Sequence, residues 1–264
     1  MLQEFFGAID GYSWIVLVCI FAGLSLAACL GKFSWGSRHQ HDSSTAAELQ
    51  IVLGATLSLF GLLVGFLVSV AINGYNSRVA AEENEATAIG NAFQHTSLLQ
   101  ERYQAPAEAM LQDYLRLRIA FFEASNDQQR AQLRLESMQV QTTMWEFISQ
   151  LAQRQPDPVI AKALTVSSEL YVSQQKTVAS WRHQIPIAAW TILVIFGLCS
   201  NYLIGNNIRG KSGRNRLLFF MPAVTALTLF MIAEIDAPGK GVIHVTPENL
   251  KDILYMLEHR ALMQ

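Results

Sequence analysis

Four stretches of the chain carry no charged residue and are rich in apolar side chains. They lie at 11–31, 49–77, 183–208 and 217–233. Roughly 20 apolar residues of α-helix cross a bilayer core about 30 Å thick, because each residue advances the helix by about 1.5 Å. The pattern therefore predicts four transmembrane helices, at about 13–31, 50–72, 186–206 and 217–235. The alternative is four buried helices of a soluble protein, which is disfavoured because one soluble core rarely needs four uncharged runs of this length.

The long segment between the second and third stretch has apolar residues at helical rather than strand spacing, as at Met110 and Tyr114. It predicts four further helices, at about 76–103, 106–124, 127–154 and 158–184. Ser125 is the expected N-cap of the third, and Asp157 with Pro158 begins the fourth. The first of these helices could continue transmembrane helix two, and the last could run into transmembrane helix three.

These boundaries divide the chain into four parts and predict an all-α integral membrane protein. The parts are transmembrane helices one and two (1–72), an inserted extramembrane bundle of long helices (73–184), transmembrane helices three and four (185–236), and a turn with a C-terminal amphipathic helix (237–264). Thr246 is the expected N-cap of that last helix, which starts at Pro247. Because its polar face is mixed in charge, we expect the tail to pack on the bundle rather than on the bilayer surface.

The composition of the chain excludes several classes of protein. Of its 264 residues, 51% are hydrophobic and only 15% are charged, whereas a soluble domain has about 25% charged residues. The net charge of −2 argues against a nucleic-acid partner, because phosphate binding needs a clear positive excess. The partner that the composition predicts is the lipid bilayer.

Positive charges in the short loops predict the orientation in the membrane. The loop between helices three and four carries Arg209, Lys211 and Arg214 without an acidic residue, and the loop between helices one and two carries Lys32 and Arg38. Two helices separate these loops, so both lie on one side, which should be the cytoplasm. Both termini and segment 73–184 then lie on the non-cytoplasmic side.

Small residues follow one face of transmembrane helix two. They recur every three or four positions and form what we call the small-residue stripe: Gly54, Ser58, Gly61, Gly65 and Ser69. At about 100° per residue they fall within an arc of roughly 80°, and they include a Gly-x-x-x-Gly pair, which favours close helix packing in lipid. The stripe is either a packing seam inside one subunit or the lining of a narrow ion path at the axis of an oligomer.

Charged residues cluster where transmembrane helices two and four end. Arg78 follows helix two, whereas Glu234 and Asp236 close helix four. Two helices separate these ends in the sequence, so they share one side of the membrane. We expect Arg78 to lie within about 6 Å of one of the two acids, as a structural clamp or as part of an ion path.

Signals for catalysis and for metal binding are weak. His39 and His41 could bind a metal ion, but such a pair in a polar loop is common by chance. The chain has no Gly-x-Ser-x-Gly, His-Glu-x-x-His, phosphate-binding loop or dinucleotide fingerprint. We therefore predict neither an enzyme nor a cofactor or metal site.

Three groups of residues, in order along the chain, carry a resemblance to a known family. The first group comprises Gly65, Phe66, Tyr75, Arg78, Glu85, Ala86, Ala88, Ile89 and Gly90. The second comprises Tyr114 and Arg118, and the third comprises Asp236, Pro238 and Gly241. Together they resemble the bestrophin-like membrane proteins of bacteria, a family whose domain has no assigned function. Val79 and Ala237 stand where that family often has arginine, so any attraction of anions by those arginines is weakened here.

The resemblance spans almost the whole chain and implies kinship with bestrophins, which are pentameric anion channels with four membrane helices per subunit. Together with the stripe, it implies a homo-oligomer in the bacterial inner membrane that conducts inorganic anions, with helix two near the pore axis. Bestrophins keep their termini and helical region in the cytosol, opposite to the orientation that the loop charges favour. The alternative function is a non-conducting membrane protein whose helical bundle binds a partner or senses an external signal.

Overall fold

The computed structural model describes residues 13–35, 43–208, 215–239 and 243–259. Within these ranges the chain is mostly helical and forms no strand. The described ranges contain eight α-helices: α1 (Ser13–Trp35), α2 (Ser43–Thr96), α3 (Glu101–Glu123), α4 (Asp127–Arg154), α5 (Pro158–Arg182), α6 (Ile187–Asn207), α7 (Asn215–Asp236) and α8 (Glu248–His259). The all-α class predicted from the sequence is confirmed.

The helices pack into two units, each with a hydrophobic core of its own. The unit that we call the apolar unit comprises Met1–Asn73 and Gln184–Ile243. The polar unit comprises Gly74–His183 and His244–Gln264. Helix α2 contributes residues to both units.

Four helical stretches of the described chain are long and apolar enough to cross a membrane, by length and composition. They fall within Trp14–Phe33, Ala47–Thr96, Pro158–Asn207 and Leu218–Asp236. The core of the apolar unit is made by their side chains, such as Leu24, Leu67, Leu193 and Ile232, which are 3% exposed or less. These stretches overlap the uncharged runs from which the sequence predicted membrane helices.

Helix α1 meets α6 at a close crossing that two glycines allow. A Cβ atom at Gly31 would overlap the backbone carbonyl of Tyr202, and one at Gly205 would overlap that of Ala28. Backbones this close gain van der Waals contact, which drives helix association in lipid. Gly31 of α1 and Gly205 of α6 therefore form a packing seam inside the apolar unit.

Gly31→Ala should destabilise the apolar unit, because the added methyl group has to push two helix backbones apart. We expect the free energy of unfolding of the full chain in detergent to fall by about 1–3 kcal/mol, the usual cost of overpacking. Gly23→Ala is the matched control on the same helix, since no atom lies within 4 Å of a Cβ built there. Equal unfolding free energies for the two variants would contradict the close crossing.

The core of the polar unit lies between α3, α4, α5 and the second part of α2, residues 74–96. It includes Ile89, Leu115, Ile148 and Leu170, each 2% exposed or less. The C-terminal helix α8 adds Leu250, which is also fully buried in this core.

Polar contacts hold α8 on the polar unit as well. Glu82 of α2 accepts hydrogen bonds from the Leu250 backbone N–H at 3.1 Å and from the Asn249 side chain at 2.7 Å. Its carboxylate thus lies at the N-terminal end of α8, where the helix dipole favours negative charge. Lys251 forms an ion pair with Glu123 at 2.7 Å. The tail therefore packs on the helical bundle, as its mixed charge indicated.

Local capping signals predicted some helix starts and missed others. Asp157 caps α5 as predicted, since its side chain accepts a backbone N–H at 2.7 Å. The predicted N-cap Ser125 is wrong by one residue, because Asn126 accepts the backbone N–H of the first turn of α4 at 2.7 Å. Helix α8 begins at Glu248, one residue later than predicted.

Two predicted boundaries around α2 and α3 differ from the structure. Helix α2 runs without interruption through the predicted gap at 73–75, so the continuous alternative is confirmed. The predicted boundary between 103 and 106 is wrong, because the chain turns at 97–100 and Pro106 lies inside α3. The turn lacks glycine, and its last residue, Gln100, makes no side-chain cap, so the sequence carries little local signal for it. Helices α5 and α6 are separate, because residues 183–186 are not helical.

Candidate functional site

A buried ion pair joins helices α2 and α3 inside the polar unit. The side chains of Glu85 and Arg118 are both fully buried, at 0% exposure. The guanidinium donates through Nε to one carboxylate oxygen and through Nη2 to the other, the latter at 3.0 Å. Two-pronged pairing of this kind is the strongest hydrogen bonding that arginine makes with a carboxylate. The sequence singled out both residues through the family pattern.

Two hydroxyl groups complete the hydrogen bonding of the Glu85 carboxylate. Tyr114 donates to Oε1 at 3.0 Å, and Thr177 of α5 donates to Oε2 at 2.6 Å. Each oxygen therefore accepts one bond from the arginine and one from a hydroxyl, which compensates for the loss of hydration. Burial raises the pKa of Tyr114 well above its ordinary value, so the phenol keeps the proton that it donates to Glu85.

A fourth helix enters the cluster through Gln141 of α4. Its Nε2 donates to the hydroxyl oxygen of Tyr114 at 3.0 Å. The Arg118 guanidinium also lies 4.3 Å from the ring centre of Phe121, a distance typical of cation–π contact. We call the hydrogen-bonded set the Glu85 network: Glu85, Tyr114, Arg118, Gln141 and Thr177.

The Glu85 network ties α2, α3, α4 and α5 together across the core of the polar unit. All of its members are buried, and its one acid and one base compensate each other. These residues therefore offer neither an exposed nucleophile nor a path for ions. Removing either charged partner would leave the other buried and uncompensated, which is strongly destabilising. The arrangement is a clamp that fixes how four helices pack.

The sequence predicted only part of this network. Glu85, Tyr114 and Arg118 were identified by resemblance but were not connected with one another, and Gln141 and Thr177 were missed. A signal for the two missed residues exists in the chain, because both stand in the helical repeat of buried residues of α4 and α5. A polar residue at such a core-facing position needs a hydrogen-bond partner.

The small-residue stripe lies on a face of α2 that no other part of the described chain covers. All of its residues are exposed, and no atom lies within 4 Å of a Cβ built on Gly54, Gly61 or Gly65. The buried positions of α2 in the apolar unit, Leu67 and Ala71, are 1% exposed and belong to a different face. Among the described residues, the stripe therefore packs against no neighbouring helix.

The acidic residues at the end of α7 belong to the apolar unit. Glu234 is buried, at 2% exposure. Asp236 accepts hydrogen bonds from the Ile185 backbone N–H at 2.9 Å and from the Trp190 indole at 3.3 Å. It therefore joins the end of α7 to the start of α6, a structural role that the sequence did not predict. The pairing of Arg78 with one of these acids stays a prediction.

Other residues of the family pattern lie in the core of the polar unit or in the turn after α7. Tyr75 is partly buried against the core of the polar unit, and Arg78 of the same unit is 2% exposed. After α7, Pro238 lies in a turn whose next residue, Gly239, has a φ of 64°. Glycine adopts this left-handed conformation without strain. Gly241 lies outside the described residues.

The possible metal ligands His39 and His41 also lie outside the described residues, as does the basic loop at 209–214. In the described part of the chain, no group of three or more His, Cys, Asp or Glu side chains is placed to hold a metal ion. The orientation that the loop charges indicate stays a prediction.

Comparison with models of known protein families matches the chain to the bestrophin-like domain over residues 18–250. The matched region contains the small-residue stripe and every member of the Glu85 network. No curated protein and no solved structure matches the chain.

Proposed function

Because the chain belongs to the bestrophin-like family, we propose that it forms an oligomeric channel for anions with helix α2 near the pore axis. The family and the four long apolar helices indicate a membrane protein. The proposal adds that the protein conducts anions, that its subunits assemble and that α2 lies near the axis of the assembly. These additions rest on the geometry of one helix.

The observation that carries the proposal is the uncovered small-residue stripe. Glycine and serine project little beyond the helix backbone, so several copies of α2 could approach one another and still leave a narrow path between them. Larger side chains beside the stripe, Leu62 and Phe66, are also exposed, at 73% and 64%. These bulky apolar groups suit lipid or a neighbouring subunit rather than water.

The chemistry of α2 limits what such a path could select. No charged residue stands between Glu48 and Arg78, so the lining would be uncharged and any gate in it would be hydrophobic. A preference for anions then has to come from arginine side chains or helix N-termini near the ends of the path. Selectivity among anions is expected to be weak.

The resemblance to bestrophins and the charges of the loops supply the remaining parts of the proposal. The protein is a homo-oligomer of the bacterial inner membrane, and its substrates are inorganic anions. The loop charges favour both termini and segment 73–184 on the non-cytoplasmic side. The protein catalyses no reaction and needs no cofactor.

Cysteine cross-linking tests the placement of α2. Gly65→Cys, in a full-length chain whose Cys19, Cys29 and Cys199 are replaced by alanine, should give covalent dimers on mild oxidation in membranes. A disulfide needs Cα atoms within about 7 Å, a distance that the stripe reaches only where copies of α2 meet. Ala71→Cys is the matched control, because Ala71 is buried inside its own unit at 1% exposure. This variant should form no covalent dimer.

Equal cross-linking of the Gly65→Cys and Ala71→Cys variants, or none in either, would mean that the stripe is not a specific contact between copies of α2. That result would favour the alternative function, a non-conducting membrane protein whose helical bundle binds a partner or senses an external signal. Denaturing gels with and without reductant distinguish the outcomes.

A further inference from the structure

The side of helix α2 that carries the small-residue stripe stays exposed beyond the stripe. Helix α2 runs without interruption, and 18 residues make about five full turns, so residues 18 positions apart lie on one side of it. Gly65 and Glu83 form such a pair, and so do Ser69 and Thr87; all four are exposed. The stripe, Glu83 and Thr87 therefore share one side of α2.

The buried residues of α2 show that the helix keeps this register along its length. Leu67 and Glu85, which are 18 positions apart, are 1% and 0% exposed. Ala71 and Ile89 have the same spacing and are also 1% and 0% exposed. Since each buried residue lies two positions after an exposed one, the buried and exposed sides are about 200° apart in both parts of the helix.

Glu83 is the one charged group that this side of α2 presents after the stripe. Residues 70–96 of α2 are all described, and their other acidic and basic side chains, Arg78, Glu82 and Glu85, are each 2% exposed or less. The exposed residues on the same side as Glu83 are uncharged, and they include Asn76, Thr87 and Gln94.

We propose that Glu83 makes the protein select singly charged anions over doubly charged ones. The inference rests on the proposed function, in which copies of α2 surround a path. When the stripe faces the axis, Glu83 faces it as well, because it lies on the same side of the same helix. Each subunit then contributes one carboxylate to a ring, about 27 Å from Gly65 along the helix.

A ring of carboxylates repels anions in proportion to their charge, because the Coulomb energy is proportional to that charge. A sulfate ion therefore meets about twice the electrostatic barrier that a chloride ion meets. The stripe offers no such distinction, since α2 has no charged residue between Glu48 and Arg78. The ring does not itself favour anions; it distinguishes among the anions that the path admits.

Efflux of chloride and of sulfate from liposomes that contain the full-length protein measures this selection. At an ionic strength of about 0.01 M, where charges act over about 30 Å, the unaltered protein should pass chloride faster than sulfate. Glu83→Gln should lower the ratio of the two rates by at least about threefold. At about 1 M salt the two proteins should have equal ratios, because the Debye length falls to about 3 Å.

Glu146→Gln is the matched control, because it removes an exposed acid from α4 and should leave the ratio unchanged. Selection by size alone would give a ratio that neither Glu83→Gln nor salt alters, so the experiment separates repulsion by charge from sieving.

Distances between spin labels test the position of Glu83 without ion flux. The labels are attached to Glu83→Cys or to Glu146→Cys in a full-length chain whose Cys19, Cys29 and Cys199 are replaced by alanine. In lipid nanodiscs, labels on different subunits should lie closer together at residue 83 than at residue 146, because only the former faces the axis.

Two outcomes would overturn the proposal while leaving the proposed channel intact. Labels at residue 83 could be no closer than labels at residue 146 although Gly65→Cys forms covalent dimers, so that Glu83 faces away from the axis. The ratio of chloride to sulfate efflux could be the same for Glu83→Gln and the unaltered protein at low ionic strength, so that the carboxylate selects nothing. Absence of efflux from every variant would instead contradict the channel itself, and the selection would fall with it.

Discussion

Gly61→Phe is expected to reduce anion flux through the reconstituted protein by at least about tenfold while leaving the fold of each subunit intact. The aromatic ring would fill a narrow path that is lined by small residues, so that ions could no longer pass. The subunit should tolerate the ring, because no atom of the described chain lies within 4 Å of a Cβ at Gly61. The measurement is halide efflux from liposomes that contain equal amounts of purified protein.

Gly23→Phe is the matched control for that experiment. Gly23 lies on α1 and is also free of neighbours within 4 Å, but it is not part of the small-residue stripe. Its variant should conduct like the unaltered protein. If Gly61→Phe conducts normally, or if both variants lose flux equally, the stripe does not line the path.

Glu85→Ala should destabilise the polar unit by about 3–5 kcal/mol, the cost of leaving a buried charge without its partner. Arg118 would stay in the core at 0% exposure, without the two carboxylate oxygens that accept its hydrogen bonds. The hydroxyls of Tyr114 and Thr177 would lose their acceptor as well. Hydrogen exchange of the α3 backbone amides in the full chain measures this loss as easier local opening.

Two further variants distinguish the loss of the buried ion pair from the loss of any acidic side chain on α2. Glu83→Ala removes an exposed acid from the same helix and should change the exchange of α3 by less than about 0.5 kcal/mol. Glu85→Leu combined with Arg118→Met removes both charges and should recover much of the stability that Glu85→Ala loses. If Glu85→Ala costs no more than Glu83→Ala, the Glu85 network is not a clamp.

The helices were predictable because their signals are local. Uncharged apolar runs mark the membrane-type helices whatever their neighbours are, and Asp157 caps α5 with an oxygen from its own turn. The turn at 97–100 was missed because no glycine, proline or side-chain cap marks it, and the helix predicted to start at residue 106 in fact starts at Glu101. Pro106 therefore lies inside α3.

The Glu85 network was only partly predictable, because it depends on how separate helices are aligned. A resemblance pointed to Glu85, Tyr114 and Arg118, yet no periodicity states that residues 33 positions apart in the chain share a hydrogen bond. Gln141 and Thr177 come from two further helices. Their place among buried residues marks them as needing partners, but only the packing shows which partners they have.

The stripe illustrates a different limit of sequence reasoning. The spacing of Gly61 and Gly65 predicts a face suited to close contact, but the same pattern serves contacts within a subunit and between subunits. Leu67 and Ala71 face the core, whereas the described residues leave the stripe uncovered, which favours a contact between subunits. The close crossing inside the subunit is made elsewhere, by Gly31 and Gly205.

Ion flux through the purified protein in liposomes tests the proposed channel most directly. Efflux of chloride or nitrate from loaded vesicles reports the passage of anions, and efflux of potassium reports the passage of cations. Each is measured with and without the protein. An anion channel predicts efflux of chloride and nitrate that rises with the amount of protein and little passage of potassium. Efflux no faster than from protein-free vesicles, with the protein oligomeric and folded in the same membranes, would contradict it.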